Sequence, residues 1–148
     1  MRKNLKAYNQ VNIESTLLTA DPHQVILMMY DGLLESIAKV KGAIERKDLN
    51  EKSILVTKAV NILSALENSL DETSEPQISE NFSNLYRYCI DRLNDCNISL
   101  DTAPLDEVVE LLKPLRDAWK EIPETAKQEG LDLIRQRDEQ PVQQAMEL

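Results

Sequence analysis

The stretch from Thr19 to Leu34, TADPHQVILMMYDGLL, constrains the fold more than any other part of the chain. From Val25 to Leu34 only Asp31 and Gly32 interrupt the apolar residues. An ordinary surface helix carries a single apolar stripe. A helix that is apolar on nearly every side either sits at the centre of a bundle or lends part of its surface to a partner. A short segment with its own apolar residues, Leu5, Tyr8, Val11, Ile13 and Leu17, comes just before it.

The rest of the chain carries three more long helical patterns. Helix 1 is predicted to start at Asp21. Asp caps, Pro22 takes the first helical position, and Gln24 stands three past the cap, from where its side chain reaches back. Its expected core face is Ile26, Met29, Leu33, Ile37, Val40 and Ile44, and it ends near Arg46. Gly32 reads as a point of close helix approach. Helix 2 is predicted from Asp48, with Glu51 completing a capping box. Its core row is Leu55, Ala59, Ile62, Leu66 and Leu70, and Ile54, Val56, Val60 and Leu63 form a second row. Helix 3 begins near Ile78 or Ser79, and Phe82, Tyr86, Cys89, Leu93, Cys96 and Leu100 alternate by four and three, a coiled-coil-like seam. Leu85, Tyr88 and Ile90 fall off it. Helix 4 repeats the spacing in Leu105, Val108, Leu112, Leu115, Trp119 and Ile122, with Pro114 predicting a kink or a break.

Four long helices with short links define the expected fold class: all-α, an antiparallel up-down four-helix bundle. Residues 1–20 lack a helical stripe and read as an N-terminal arm docking on the bundle. Residues 21–122 form the bundle core. Residues 123–148 read as a short helix and a loose tail; Glu124 to Arg137 can form a fifth helix with Ala126, Leu131 and Ile134 on one side.

Composition narrows the function. The formal net charge is −9, against binding a phosphate backbone, where clustered Lys and Arg supply the affinity. The same acidity opposes adhesion to an anionic membrane surface. No apolar run approaches the 18 or so residues a membrane span needs, so no direct membrane insertion is expected. The N-terminus lacks the apolar core of a secretory signal, and the expected location is cytoplasmic. Cys89 and Cys96 are seven apart in a helical pattern, so their Cα atoms lie roughly 10 Å apart. That exceeds the about 7 Å a disulfide allows, and both read as buried, reduced thiols.

Catalytic chemistry is not apparent. The chain has one His; His23 stands at a helix start and reads as structural or solvated. Phosphotransfer bundles that use a single His place it exposed in mid-helix, followed by Lys and Gly, whereas His23 is followed by Gln-Val-Ile-Leu. No Glu-x-x-His pair exists for a bundle di-metal site. Two Cys and one His on different helices do not have the usual zinc spacing. There is neither a Gly-rich phosphate loop nor a nucleophile elbow. The expectations are no catalytic residue, no metal site and no cofactor.

Five segments, in order, resemble the FliS family of flagellar secretion chaperones. They are Ala-Tyr within LKAYNQVNIES (Leu5 to Ser15), Pro-His-Gln at the start of helix 1, Tyr-Asp-Gly after it, Leu-Tyr-x-Tyr in LYRYCIDRL (Leu85 to Leu93), and Ala-Trp in PLRDAW (Pro114 to Trp119). The likeness runs from about Leu5 to Ile122. It implies a cytoplasmic chaperone that binds the disordered C-terminal segment of flagellin, prevents premature polymerisation, and delivers it to a membrane protein of the flagellar export gate. It also implies that the arm folds over an apolar pocket through Leu5 and Tyr8.

Read beside the residues, the surplus apolar surface gains an owner. A client helix can lie in a groove between bundle helices, and Met28 and Met29 suit an adaptable groove. Candidate flagellin-binding or arm-docking residues are therefore Leu5, Tyr8, Val11 and Ile13 in the arm, Met28 and Met29 on helix 1, Val56, Val60 and Leu63 on helix 2, and Tyr88 on helix 3. A second reading is a structural adaptor that dimerises through the same faces and bridges partner proteins.

Overall fold

The computed structural model describes residues 21–71 and 73–122. The arm and the segment from Pro123 onward, with the predicted fifth helix, lie outside the described residues. Four helices follow in order: α1 (Pro22–Glu45), α2 (Leu49–Asn68), α3 (Pro76–Ser99) and α4 (Ala103–Lys120). Each packs on the next, and α4 returns to α1, closing the all-α bundle. Contacts between opposite ends record the up-down order. Lys41, late in α1, pairs with Asp106 at the start of α4 at 3.1 Å. Lys52, early in α2, donates to the Asn97 carbonyl, late in α3, at 2.8 Å.

The predicted caps are present. The Asp21 carboxylate accepts from the Gln24 N–H at 2.8 Å, and Asp48 accepts from the Glu51 N–H at 3.2 Å. Each satisfies one of the N–H groups that a helix start leaves without an intrahelical partner. At the end of α1, Lys47 adopts the left-handed conformation at φ 60. Its N–H reaches the Ile44 carbonyl and that of Asp48 reaches Ala43, the two reverse bonds of a Schellman stop.

Two boundaries differ from expectation. α3 begins at Pro76, two residues before Ile78, because Pro preset at the first helical position starts the helix within polar sequence. The Ser79 hydroxyl ties that first turn to the Asp71 carbonyl at 2.6 Å. In α4 the helix runs through Pro114 to Lys120, which removes the predicted break.

The core is contributed by Leu33, Ile37, Val40 and Ala43 of α1, Leu55, Val56, Ala59, Leu63 and Leu66 of α2, Cys89, Leu93 and Cys96 of α3, and Leu105, Val108 and Leu112 of α4. Each large aliphatic among them stabilises the fold by about 1.5–3 kcal/mol relative to exposure. The α3 seam is as predicted from Tyr86 to Cys96, whereas Leu100 turns outward at a left-handed helix end. The α2 face is rotated from the expected row. Val56 and Leu63 are buried while Ile62 is half-buried, because α2 faces both α1 and α3 and its buried arc lies between them.

Candidate functional site

Two apolar depressions mark the described surface. The first is a shallow, open groove of about 550 Å³ between α1 and α2, lined by Met29 on one side and by Ile54, Ile62 and Ala65 on the other, with Thr57, Lys58 and Asn61 on the same rim. Ile54 is 58% exposed. Burying such surface under a partner is favourable at about 25 cal/mol per Å².

The second is a cavity of about 430 Å³ at the end of the bundle where α1 and α3 begin and α2 and α4 finish. Ile26 and Tyr30 enter it from α1, Leu66 from α2 and Leu70 just after it, Phe82 and Tyr86 from α3, and Leu115 and Trp119 from α4 with Ile122 just after it. The lining is nearly all apolar because its two phenols are spent on each other. The Tyr30 and Tyr86 hydroxyls meet at 2.6 Å in a buried bond. Burial is the main cause that pushes both phenols above their ordinary range and keeps them protonated.

One wall is held by a reciprocal clasp. The His23 and Trp119 rings stack at 5.0 Å between centroids. His23 Nε2 lies 2.6 Å from the Trp119 carbonyl, and the indole Nε1–H donates to the His23 carbonyl at 2.9 Å. A carbonyl only accepts, so the imidazole proton sits on Nε2. Next to the clasp, Arg116 spans to Asp31 at 2.7 Å. His23 is thus structural, and buried rather than solvated.

The residues predicted for binding fall in four places. Leu5, Tyr8, Val11 and Ile13 lie outside the described residues. Met28 and Met29 are half-buried on α1, and Met29 lines the side groove. Val60 is half-buried and packs against the core. Val56 and Leu63 correct the expectation, since at 2% and 0% exposure they are interior residues with no surface to offer. Tyr88 is 45% exposed, but its hydroxyl bonds to Glu107 on α4, so it belongs to the α3–α4 side and not to the Met29 groove. Ile54, Ile62 and Ala65 are groove residues not expected from the sequence. The cavity is not expected either, because its lining pairs helix ends that lie far apart in the chain.

Other reactive groups are used structurally. Cys89 and Cys96 are both free and buried, and burial pushes the Cys89 thiol up to about 11. The Lys52 ammonium, buried with its side chain, donates to the Asn97 carbonyl at 2.8 Å, where the negative end of α3 favours a cation. Among the described residues, no helix is long and apolar enough to cross a membrane.

A closed four-helix bundle with two apolar depressions places the chain in the class of all-α helical-bundle proteins. The profile of the family described as Flagellar protein FliS matches residues 4–126, and the chain belongs to that family, the flagellar secretion chaperones. It is 40% identical over 117 residues to the flagellar secretion chaperone FliSB of Pseudomonas aeruginosa, covering 79% of this chain and 93% of that one. It is 37% identical over 119 residues to FliS of Salmonella typhimurium, covering 80% and 88%. Likeness to FliS of Bacillus subtilis is 36% over 115 residues, covering 78% and 82%. A crystal structure of a bacterial flagellar chaperone shares the fold at a TM-score of 0.64 and 16% identity, over 79% of this chain and 94% of the other.

Proposed function

We propose that this chaperone binds the disordered C-terminal segment of flagellin in the cytoplasm, keeps it from polymerising, and delivers it to a membrane protein of the flagellar export gate. The observation that carries the reading is the α1–α2 groove, in which exposed Ile54 and half-buried Met29 and Ile62 face solvent together. An amphipathic client helix placing apolar residues at i, i+3, i+4 and i+7 matches such a groove. Folding of the client on binding buries about 1,000–3,000 Å² and loses roughly 2–5 kcal/mol to ordering. Met28 and Met29 repack around differing client side chains. The arm, through Leu5, Tyr8, Val11 and Ile13, docks in the client's place when the chaperone is idle, so that binding exchanges one occupant for another.

Gel filtration with flagellin tests this. The chaperone is expected to form a 1:1 complex with whole flagellin. It forms none with flagellin lacking its last ~40 residues, a length of roughly two to three short helices. Met29→Asp with Ile54→Asp abolishes the complex without unfolding the bundle. Retained binding to the truncated flagellin would sink the proposal. A stable dimer with no flagellin complex would replace it with the adaptor reading.

A further inference from the structure

We infer that the end cavity is a docking site for the chain's own C-terminal segment, with Leu131 and Ile134 as the inserted side chains. This goes beyond client binding, which uses the α1–α2 groove. Three observations point to this occupant. The end of α4 and the residues just after it supply Leu115, Ala118, Trp119 and Ile122, a third of the lining. Ile122, the last described residue, itself lines the cavity, so the chain departs from its mouth. The next residue is Pro123, which has no N–H to donate to a continuing helix.

The arm joins α1 at Asp21, at this same end of the bundle, but Asp21 is not part of the lining, and α1 first contributes to it at Ile26, about 7 Å further along the axis. His23 holds one face of the Trp119 indole and is not part of the lining. The sequence beyond Pro123 carries Ala126, Leu131 and Ile134 at helical spacing on one side. An apolar cavity of about 150 Å³ accepts a benzene ring, so one of about 430 Å³ has room for two to three such groups. A tether attached at the mouth holds the segment at an effective concentration near millimolar. Weak contacts are therefore enough to keep it seated.

Trp119 is the chain's single tryptophan and reports directly on the cavity. In the full chain, Leu131→Asp with Ile134→Asp is expected to red-shift its emission and steepen acrylamide quenching, while circular dichroism keeps the bundle's helical signal. Leu131→Met with Ile134→Val keeps the parent behaviour, and so does Leu5→Asp with Tyr8→Asp. Under mild oxidation, Ala118→Cys forms an intramolecular disulfide when combined with Leu131→Cys, and not when combined with Leu5→Cys. Parent-like emission and quenching in Leu131→Asp/Ile134→Asp would overturn the inference. A change seen only in the arm variant would assign the cavity to the arm. A parent signal that varies with protein concentration would assign it to a second copy. Each of these outcomes also overturns it.

Discussion

Cys89 shows how one buried residue links the core to pH. Its side chain is fully enclosed, and burial, reinforced by Glu107, pushes its thiol from 9.0 to about 11. The unfolded chain therefore loses this proton first as pH rises. Its contribution to stability is complete below about pH 9 and is lost as pH climbs through 11. Tyr30 and Tyr86, whose ordinary value is 10.0, are raised in the same direction by burial, and they deepen the decline from about pH 10 upward. We expect urea unfolding to show nearly constant stability from pH 7 to pH 8.5. By pH 11, Cys89 alone accounts for a loss of about 2 kcal/mol. Cys89→Ala lowers stability at pH 8 through its cavity and flattens the slope between pH 9 and pH 11. An unchanged slope in that variant would show that the thiol is not the titrating group.

At the scale of elements, α1 serves two surfaces. Leu33, Ile37 and Val40 face the interior, Met29 opens on the side groove, and Ile26 and Tyr30 reach the end cavity. Gly32 sits between these roles, and the packing does not require it. A Cβ there would meet Ile62 Cδ1 at 3.8 Å, an ordinary contact, so the close helix approach expected from the sequence is not what keeps glycine at this position. Gly32→Ala is therefore predicted to stabilise α1 by about 1 kcal/mol through helix propensity, raising Tm by about 3 °C. A fall in Tm would show that the α1–α2 contact at Gly32 does not accept a methyl group. Lys47 makes the complementary point at the other end of α1. A β-carbon-bearing residue holds a left-handed turn that glycine usually takes.

The bundle as a whole is closed where its first and last helices meet. His23 and Trp119, 96 residues apart, contribute a stacked pair and two hydrogen bonds, and Arg116–Asp31 adds an ion pair whose partners are both partly exposed. Such an exposed pair is screened by solvent and adds little, so the clasp is the stronger fastening. His23→Ala removes the stack, one hydrogen bond and the buried ring. It is predicted to cost about 2–3 kcal/mol, read as a lower urea midpoint with unchanged m-value. A cost below about 0.5 kcal/mol, the level of an ordinary surface substitution, would show that the clasp is incidental. Arg116→Ala, measured in parallel, is expected to cost less.

The amino-acid sequence by itself determined what depends on neighbours within a turn or two of chain. Asp21 and Asp48 cap α1 and α2 because a carboxylate three residues from an N–H needs no tertiary help. The four-and-three spacing from Tyr86 to Cys96 places one face of α3 inward whatever it packs against. Five ordered segments also carried the family. Only the tertiary structure decided which apolar row of α2 is core, placing Val56 and Leu63 inside and Ile54 and Ile62 along the groove. Helical periodicity defines a wide apolar arc, and the positions of two neighbouring helices choose its buried centre. The same holds for the end cavity, His23–Trp119 and Tyr30–Tyr86. Each joins residues more than fifty apart, and no local pattern encodes a contact that exists only after four helices have closed on one another.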